Sequence, residues 1–312
     1  MQRENKIYFI EKSPLYKLQS KHKLYTLLGI TSNVIKDLRN DAFYKVFEIT
    51  RKGKKPRTVQ EPVGIRRIVH SRIFLLLKRI QTPDYLFSGK KSISYLDNSR
   101  YHQANNYFVT IDIEKYYPNC RYEYVFRFFF YQMKMSQDVA HLISRLVCYK
   151  EQIPTGSPLS QLIAYWAYSR TFDYINQLAV SKDLTFSLFV DDMVFSSQTP
   201  ISKKFHLSIN YNLKRVMLKL NKEKVKYRAK THYKVVTGGA ISPNGTLGVP
   251  NKLRLKIINT LQLHSTQKQI ESQDIKSMLG MIRAGQLIEA NFFNETYIKY
   301  LQLEAKLKNM KN

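Results

Sequence analysis

Acidic residues are scarce in this chain: 23 Asp and Glu stand against 51 Lys and Arg over 312 residues, a formal charge of +28. Cysteine is nearly missing. Cys120 and Cys148 alone cannot build a disulfide framework or a four-cysteine zinc site. No apolar run approaches the ~18–20 residues that a membrane-crossing helix needs. The opening stretch MQRENKIYFIEKSPLYK alternates charged and apolar residues and lacks the hydrophobic stretch of a secretory signal. With only 11 Gly and 10 Pro, and with no repeats or low-complexity linkers, solenoid and disordered classes are excluded. A soluble protein of a reducing compartment, cytoplasmic and without a membrane partner, is expected.

What is present is apolar mass and positive charge. Hydrophobic residues make up 44% and aromatics 13%, enough for a proper core in one or two domains. A surplus of 28 positive charges repels itself and calls for an anionic partner. Nucleic acid fits best. An anionic membrane fits less well, because no short helix joins a lysine-rich face to a clean apolar one.

Residues 22–40 read as helical pieces around Gly29, and YKVFEITRKGKKPRTVQEP reads as a β-hairpin with a basic turn. A helix is expected over 64–81; between 51 and 79 there are ten basic residues and one acid, Glu61. Residues 107–118 read as a buried strand stopped by Pro118, 121–150 and 162–179 as helical. The segment TFSLFVDDMVFSS (185–197) reads as a hairpin with Asp191 and Asp192 at its tip. From 203 to 234 there are eleven basic residues and one acid, and 251–312 is almost wholly helical in period.

Three acids stand in apolar surroundings: Asp112 within TIDI, Asp191 and Asp192 within FVDDMVF. A carboxylate desolvated on its own is very costly. Either each sits at a strand end facing water, or the group binds a cation that takes oxygen ligands, for which Mg²⁺ is the hard ion of choice.

Taken together, the motifs resemble those of reverse transcriptases, and of the bacterial retron type in particular. Asp112-Ile113-Glu114-Lys115-Tyr116-Tyr117 is similar to the family's single-Asp motif with an aromatic five residues on. Phe189-Val190-Asp191-Asp192 resembles its YADD box, and Pro154-Thr155-Gly156-Ser157-Pro158-Leu159-Ser160 its PQGxPxSP turn. Leu218–Lys224 resembles LxxNxxK, and Arg57-Thr58-Val59 with Pro62 the basic fingers motif. The retron signatures NAxxH and VTG are similar to Asn98-Ser99-Arg100-Tyr101-His102 and Val236-Thr237-Gly238. The motifs follow in family order over about residues 25–305.

The resemblance implies an α+β, right-hand polymerase fold with fingers, a palm of antiparallel sheet plus helices, and a helical thumb. It divides the chain into 1–106 (N-terminal helices and fingers), 107–240 (palm, with a helical fingers segment about 121–152) and 241–312 (thumb and RNA recognition). It implies Asp112, Asp191, Asp192 and the Ile113 carbonyl as ligands of two Mg²⁺ ions, with Mn²⁺ as a substitute. Lys224 would protonate the leaving pyrophosphate, Arg57 would grip the triphosphate, and Tyr117 would be the steric gate against a 2′-OH. Gly156 would allow close backbone approach. Asn98, His102, Val236, Thr237, Gly238 and Arg283 would serve RNA recognition. Thr155 stands where the family has Gln, and Phe189 where it has Tyr, which puts nucleotide affinity and fidelity in question.

From the residues alone, plainer accounts remain: a core tyrosine for Tyr117, a solvated face for Lys224, a turn glycine for Gly156, a satisfied structural histidine for His102. Cys120, Cys148 and Trp166 read as core.

The implied function is an RNA-directed DNA polymerase that copies its own structured non-coding RNA, template and primer in one. It would prime from a guanosine 2′-OH, use deoxynucleoside triphosphates and leave a branched RNA–DNA product, multicopy single-stranded DNA. An effector (toxin) protein and a role in antiphage defence go with it. Alternatives are an abortive-infection-like reverse transcriptase, a catalytically silent RNA-binding protein of the same fold, and an RNA-making polymerase.

Overall fold

A computed structural model describes residues 7–38, 41–50, 53, 55–91, 93–266 and 270–309. Arg51, Lys52 and Lys54 of the basic hairpin turn lie outside the described residues, as does Lys311 of the tail.

The chain begins with α1 (Lys21–Leu28) and α2 (Ser32–Asp37), separated at Gly29, whose φ of 69° ends α1 in the left-handed conformation open to glycine. β1 (Tyr44–Ile49) and β2 (Arg57–Pro62) form the expected hairpin, antiparallel from Tyr44 opposite Pro62 to Ile49 opposite Arg57. α3 (Gly64–Leu77) follows, then α4 (Tyr95–Tyr101), whose start is fixed by a capping box between Ser94 and Asp97. β3 (Tyr107–Asp112) leads into the one-turn α5 (Tyr116–Asn119). The aromatic stretch holds α6 (Tyr122–Arg127), a π-helical turn at Phe128–Gln132 and α7 (Gln137–Val147). α8 (Ser160–Val180) is the long aromatic helix, and β4 (Thr185–Phe189) and β5 (Asp192–Ser197) are the arms of the acidic hairpin. α9 (Phe205–Lys214) precedes β6 (Lys226–Arg228), β7 (Lys234–Val236), β8 (Gly239–Ile241) and β9 (Leu247–Gly248). Three helices close the chain: α10 (Asn251–Thr266), α11 (Ser272–Gln286) and α12 (Asn294–Asn309).

Sheet order is β4-β5-β3-β6 in the central sheet, with β7-β8-β9 as a separate three-stranded one. The central order sets Asp112, at the end of β3, beside the strand that starts with Asp192. β3 is shorter than its apolar pattern suggests. It stops at Asp112, Lys115 turns the backbone at φ 45°, and Pro118 sits inside α5 rather than ending a strand. Proline is tolerated there because the amides of a first helical turn have no intrahelical acceptor to lose.

The chain divides into two compact units. The first is Met1–Ile93, Thr110–Phe195 and Ser202–Lys226; the second is Ser94–Val109, Ser196–Ile201 and Tyr227–Asn312. The first has its core in fully buried Val69, Ile73, Ile111, Phe128, Phe129, Ile163, Phe172, Leu188 and Phe195. Cys120, Cys148 and Trp166 are buried, and both thiols are free. In the second, Ile257, Ile275, Met278, Ile282, Phe292 and Tyr300 join α10, α11 and α12 into a helical core. Among the described residues no helix is long and apolar enough to cross a membrane.

Candidate active site

The three acids lie on neighbouring segments of the first unit. The Ile113 amide donates to the Asp191 carbonyl at 3.1 Å, which ties the end of β3 to the tip of the β4–β5 hairpin. On its other side the Asn221 amide donates to the Asp112 carbonyl at 2.8 Å, and Leu220 bridges Ile113. Lys224 then reaches back, its Nζ 2.7 Å from Asp112 Oδ1, with the Asp112 side chain only 13% exposed. The Leu218–Lys224 segment is thus bound to the acidic strand by backbone and by charge.

The hairpin tip is strained. Val190 takes φ 60° in a two-residue turn, a conformation that suits glycine and costs a β-branched residue on the order of 1–3 kcal/mol. Its amide donates to Ser88 Oγ at 3.0 Å, so buried Ser88 helps to hold the turn.

Burial first, and then the charges of Asp192 and Asp112, push the Asp191 carboxyl up to about 6. Asp192 is also raised, by loss of hydration first and by Asp112 second. It stays open to solvent, yet the protein around it strips part of its water. Lys224 only partly offsets this crowding of negative charge. Among the described residues no three His, Cys, Asp or Glu side chains close on one point as a ready-made metal cage. Like charges do not converge unaided, and Lys224 holds one oxygen of Asp112. Oxygen donors with unbalanced negative charge fit a hard divalent cation.

Tyr117 is half-buried on α5, and its phenol is raised by burial and by the Asp191 charge, which places it near that carboxylate. Phe189 ends β4, half-buried, just before Val190. Arg57 is exposed at the head of β2. Thr155 is engaged by the same strand: its hydroxyl donates to the Thr58 carbonyl at 3.0 Å, and its amide donates to Gln60 Oε1 at 3.1 Å. The Gly156 amide donates to the Gln60 carbonyl at 3.1 Å, and a Cβ on Gly156 would lie 2.9 Å from that oxygen. The close approach that Gly156 permits is therefore to β2.

In the second unit the two retron-like signatures grip each other. Asn98, Ser99 and His102 are fully buried on and after α4. Ser99 Oγ donates to the Val236 carbonyl at 2.7 Å, Asn98 Nδ2 to Thr237 Oγ1 at 3.4 Å, and Thr237 Oγ1 to the Tyr95 carbonyl at 2.6 Å. Gly238, at φ 144°, lies where a Cβ would be 2.7 Å from the Tyr95 ring. His102 Nδ1 is 2.7 Å from Ser196 Oγ, and burial lowers its pKa to about 3. Asn98, His102 and Val236 lie inside the fold, joined to their neighbours, and offer no side-chain surface to RNA here. Thr237 and Gly238 are partly accessible, and Arg283 is exposed on α11 with its Nε on Tyr297.

Sequence reading missed Gln60, Ser88 and His70. Only His70 left a trace: Arg66 and His70 interrupt the buried stripe Val69, Ile73, Leu76 and Leu77 on α3.

A sheet that sets a strand-end carboxylate beside a two-acid hairpin, with helices around it, is of the α+β right-hand polymerase class. The model of the family "Reverse transcriptase (RNA-dependent DNA polymerase)" matches residues 49–283, and the chain belongs to that family. Curated relatives agree with the retron-type resemblance of the motifs. The chain is 24% identical over 162 residues to the Retron Ec86 reverse transcriptase of Escherichia coli, covering 51% of this chain and 50% of that one. It is 29% identical over 167 residues to the Retron Se72 reverse transcriptase of Salmonella heidelberg (strain 579083-10), covering 52% and 43%. These two alignments span about half of the relatives' own length or less. The Retron Ec83 reverse transcriptase of Escherichia coli is 22% identical over 295 residues, 89% of this chain and 93% of that one. Among solved structures, telomerase from Candida albicans in complex with a fragment of telomeric RNA is similar with a TM-score of 0.49 at 11% identity, covering 92% of this chain and 64% of that one.

Proposed function

We propose that the chain is a retron-type RNA-directed DNA polymerase that copies its own structured non-coding RNA by nucleotidyl transfer. The observation that carries this is the convergence of Asp112 with the Asp191–Asp192 tip through the 3.1 Å bond from Ile113 to Asp191. Asp112, Asp191, Asp192 and the Ile113 carbonyl would hold two Mg²⁺ ions, with Mn²⁺ able to substitute. When bound, such ions activate the primer hydroxyl and stabilise the triphosphate and leaving pyrophosphate.

The chain's own residues do the rest. Arg57 offers a planar guanidinium that can pair two phosphate oxygens at once. Tyr117 sits near Asp191 and would meet a ribose 2′-OH with its ring, which favours deoxynucleotides. Lys224, its Nζ 2.7 Å from Asp112 Oδ1, would give a proton to pyrophosphate as the bond to the α-phosphorus breaks. In-line phosphoryl transfer asks a protein for such positioning and charge.

Fingers, palm and thumb would follow the division 1–106, 107–240 and 241–312. RNA recognition belongs on the thumb, with exposed Arg283, and on the 203–234 run with its eleven basic residues, since A-form helices are read by shape and backbone. Priming from a guanosine 2′-OH, a branched RNA–DNA product, an effector protein, antiphage defence and a cytoplasmic location complete the reading; two free buried thiols suit a reducing compartment.

The test is primer extension on an RNA template with the Asp191→Ala, Asp192→Ala double variant. Synthesis should vanish while RNA binding stays within a few-fold of the parent. Residual synthesis would reject the metal assignment. RNA affinity should also fall by ~10³–10⁵ between 50 and 200 mM salt if six to ten phosphates are neutralised.

A further inference from the structure

His70 is fully buried on α3 in the first unit, and every polar atom of its ring is engaged. Nε2 lies 2.9 Å from the Leu146 carbonyl, which can only accept, so Nε2 carries the proton. Leu146 is in the last turn of α7, where carbonyls lack intrahelical donors, and Arg66 Nη1 donates to the same oxygen at 3.1 Å. The tautomer is thereby fixed. Nδ1 is left bare and accepts the Ser157 hydroxyl proton at 2.6 Å. Ser157 Oγ in turn accepts the Leu159 amide at 3.1 Å, at the entrance to α8. Burial keeps the ring neutral by lowering its pKa to about 3, so this donor order persists at working pH.

The Pro154–Ser160 turn is consequently held from two sides. Gln60 on β2 binds the backbone of Thr155 and Gly156, and His70 on α3 binds Ser157. We propose that His70 is a positioning residue that acts through the Ser157 hydroxyl to set Thr155 and Gly156 where the incoming deoxynucleotide is received. This deepens the polymerase reading and rests on it for the nucleotide. The clamp itself stands on the geometry alone.

The experiment pairs kinetics with amide exchange on the full chain, in four proteins: parent, Ser157→Ala, His70→Phe and the double variant. Ser157→Ala removes only one oxygen and keeps the fold testable if His70→Phe does not fold. Each single variant should raise the KM for dNTP about 10-fold, the scale of one lost buried hydrogen bond of about 1.4 kcal/mol, with kcat within about 3-fold. The double variant should be no worse than either single one, because both cut the same link. Hydrogen exchange should quicken in peptides covering 154–160 and stay unchanged in α10–α12. A purely structural histidine would lower the melting temperature and leave KM untouched, and that result overturns the proposal. So does an unchanged exchange rate in the turn, or additive effects in the double variant. A parent that extends no primer would reject the polymerase reading instead, while the exchange data still decide whether His70 holds the turn.

Discussion

Lys224 reaches across 112 positions of sequence to place its ammonium 2.7 Å from the Asp112 carboxylate, the only acid of the three that it pairs with directly among the described residues. Asp191 and Asp192 are left with raised proton affinity and, among the described residues, no such partner. The site therefore holds more negative charge than it can balance, and that imbalance is measurable.

Removing one charge should stabilise the cation-free protein. Asp191→Asn is expected to raise the melting temperature in EDTA by about 2–4 °C for each kcal/mol of repulsion and desolvation relieved. Mg²⁺ should raise the melting temperature of the parent and much less that of the variant. Differential scanning fluorimetry with and without EDTA reads both. A parent indifferent to Mg²⁺, Mn²⁺ and EDTA would count against a cation at these carboxylates.

Sugar selection should depend on Tyr117. With Tyr117→Ala, discrimination against ribonucleotides is expected to fall by about 10-fold or more, the scale of one lost steric contact in a specificity pocket. The ratio of kcat/KM for dNTP and rNTP is the readout. An unchanged ratio would leave Tyr117 as a packing residue of α5.

Gly156 has no room for a side chain. In Gly156→Ala the new carbon would meet the Gln60 carbonyl at 2.9 Å and the Glu61 Cα at 3.0 Å, both backbone atoms with little freedom to yield. The turn must part from β2 at a cost of about 1–3 kcal/mol, as in other overpacked sites. Chemical denaturation should show that loss, together with faster exchange of the Gly156 amide.

Acid should weaken the fold through its buried histidines. His102 has a folded pKa of about 3 against an ordinary value of 6.5, so above 6.5 both states are neutral and the cost is nil. As pH falls from 6.5 towards 3 the unfolded chain takes a proton that the folded one refuses, and stability drops by up to about 1.4 kcal/mol per pH unit. His102→Gln should remove that contribution. Urea midpoints of parent and variant at pH 7.5, 6 and 5 would converge if it does, and run parallel if the folded protein protonates His102 as readily as the unfolded chain does.

Much of this architecture is legible in the amino-acid order because its signals are local. Asp112 betrays itself by standing in an apolar strand, and the hairpin of 185–197 by two apolar arms around paired acids. Apolar period alone located α3, α8 and the C-terminal helices. Where a local signal has two readings the sequence misleads: Pro118 looks like a strand terminator but lies in the first turn of a helix. The signatures NSRYH and VTG were visible as strings, whereas their mutual hydrogen bonds span more than 130 positions and leave no periodic trace.

The sequence by itself determined the two hairpins of 44–62 and 185–197 and the long helices, the positive charge that demands an anionic partner, and the carboxylates that demand a counter-charge, since each follows from neighbours a few residues away. Tertiary structure alone decided that Lys224 faces Asp112, that His70 meets Ser157 and that His102 lies inside rather than outside. Those pairings are set by how strands and helices stack. The free energy of burying a polar group is settled by whichever distant partner the fold delivers to it.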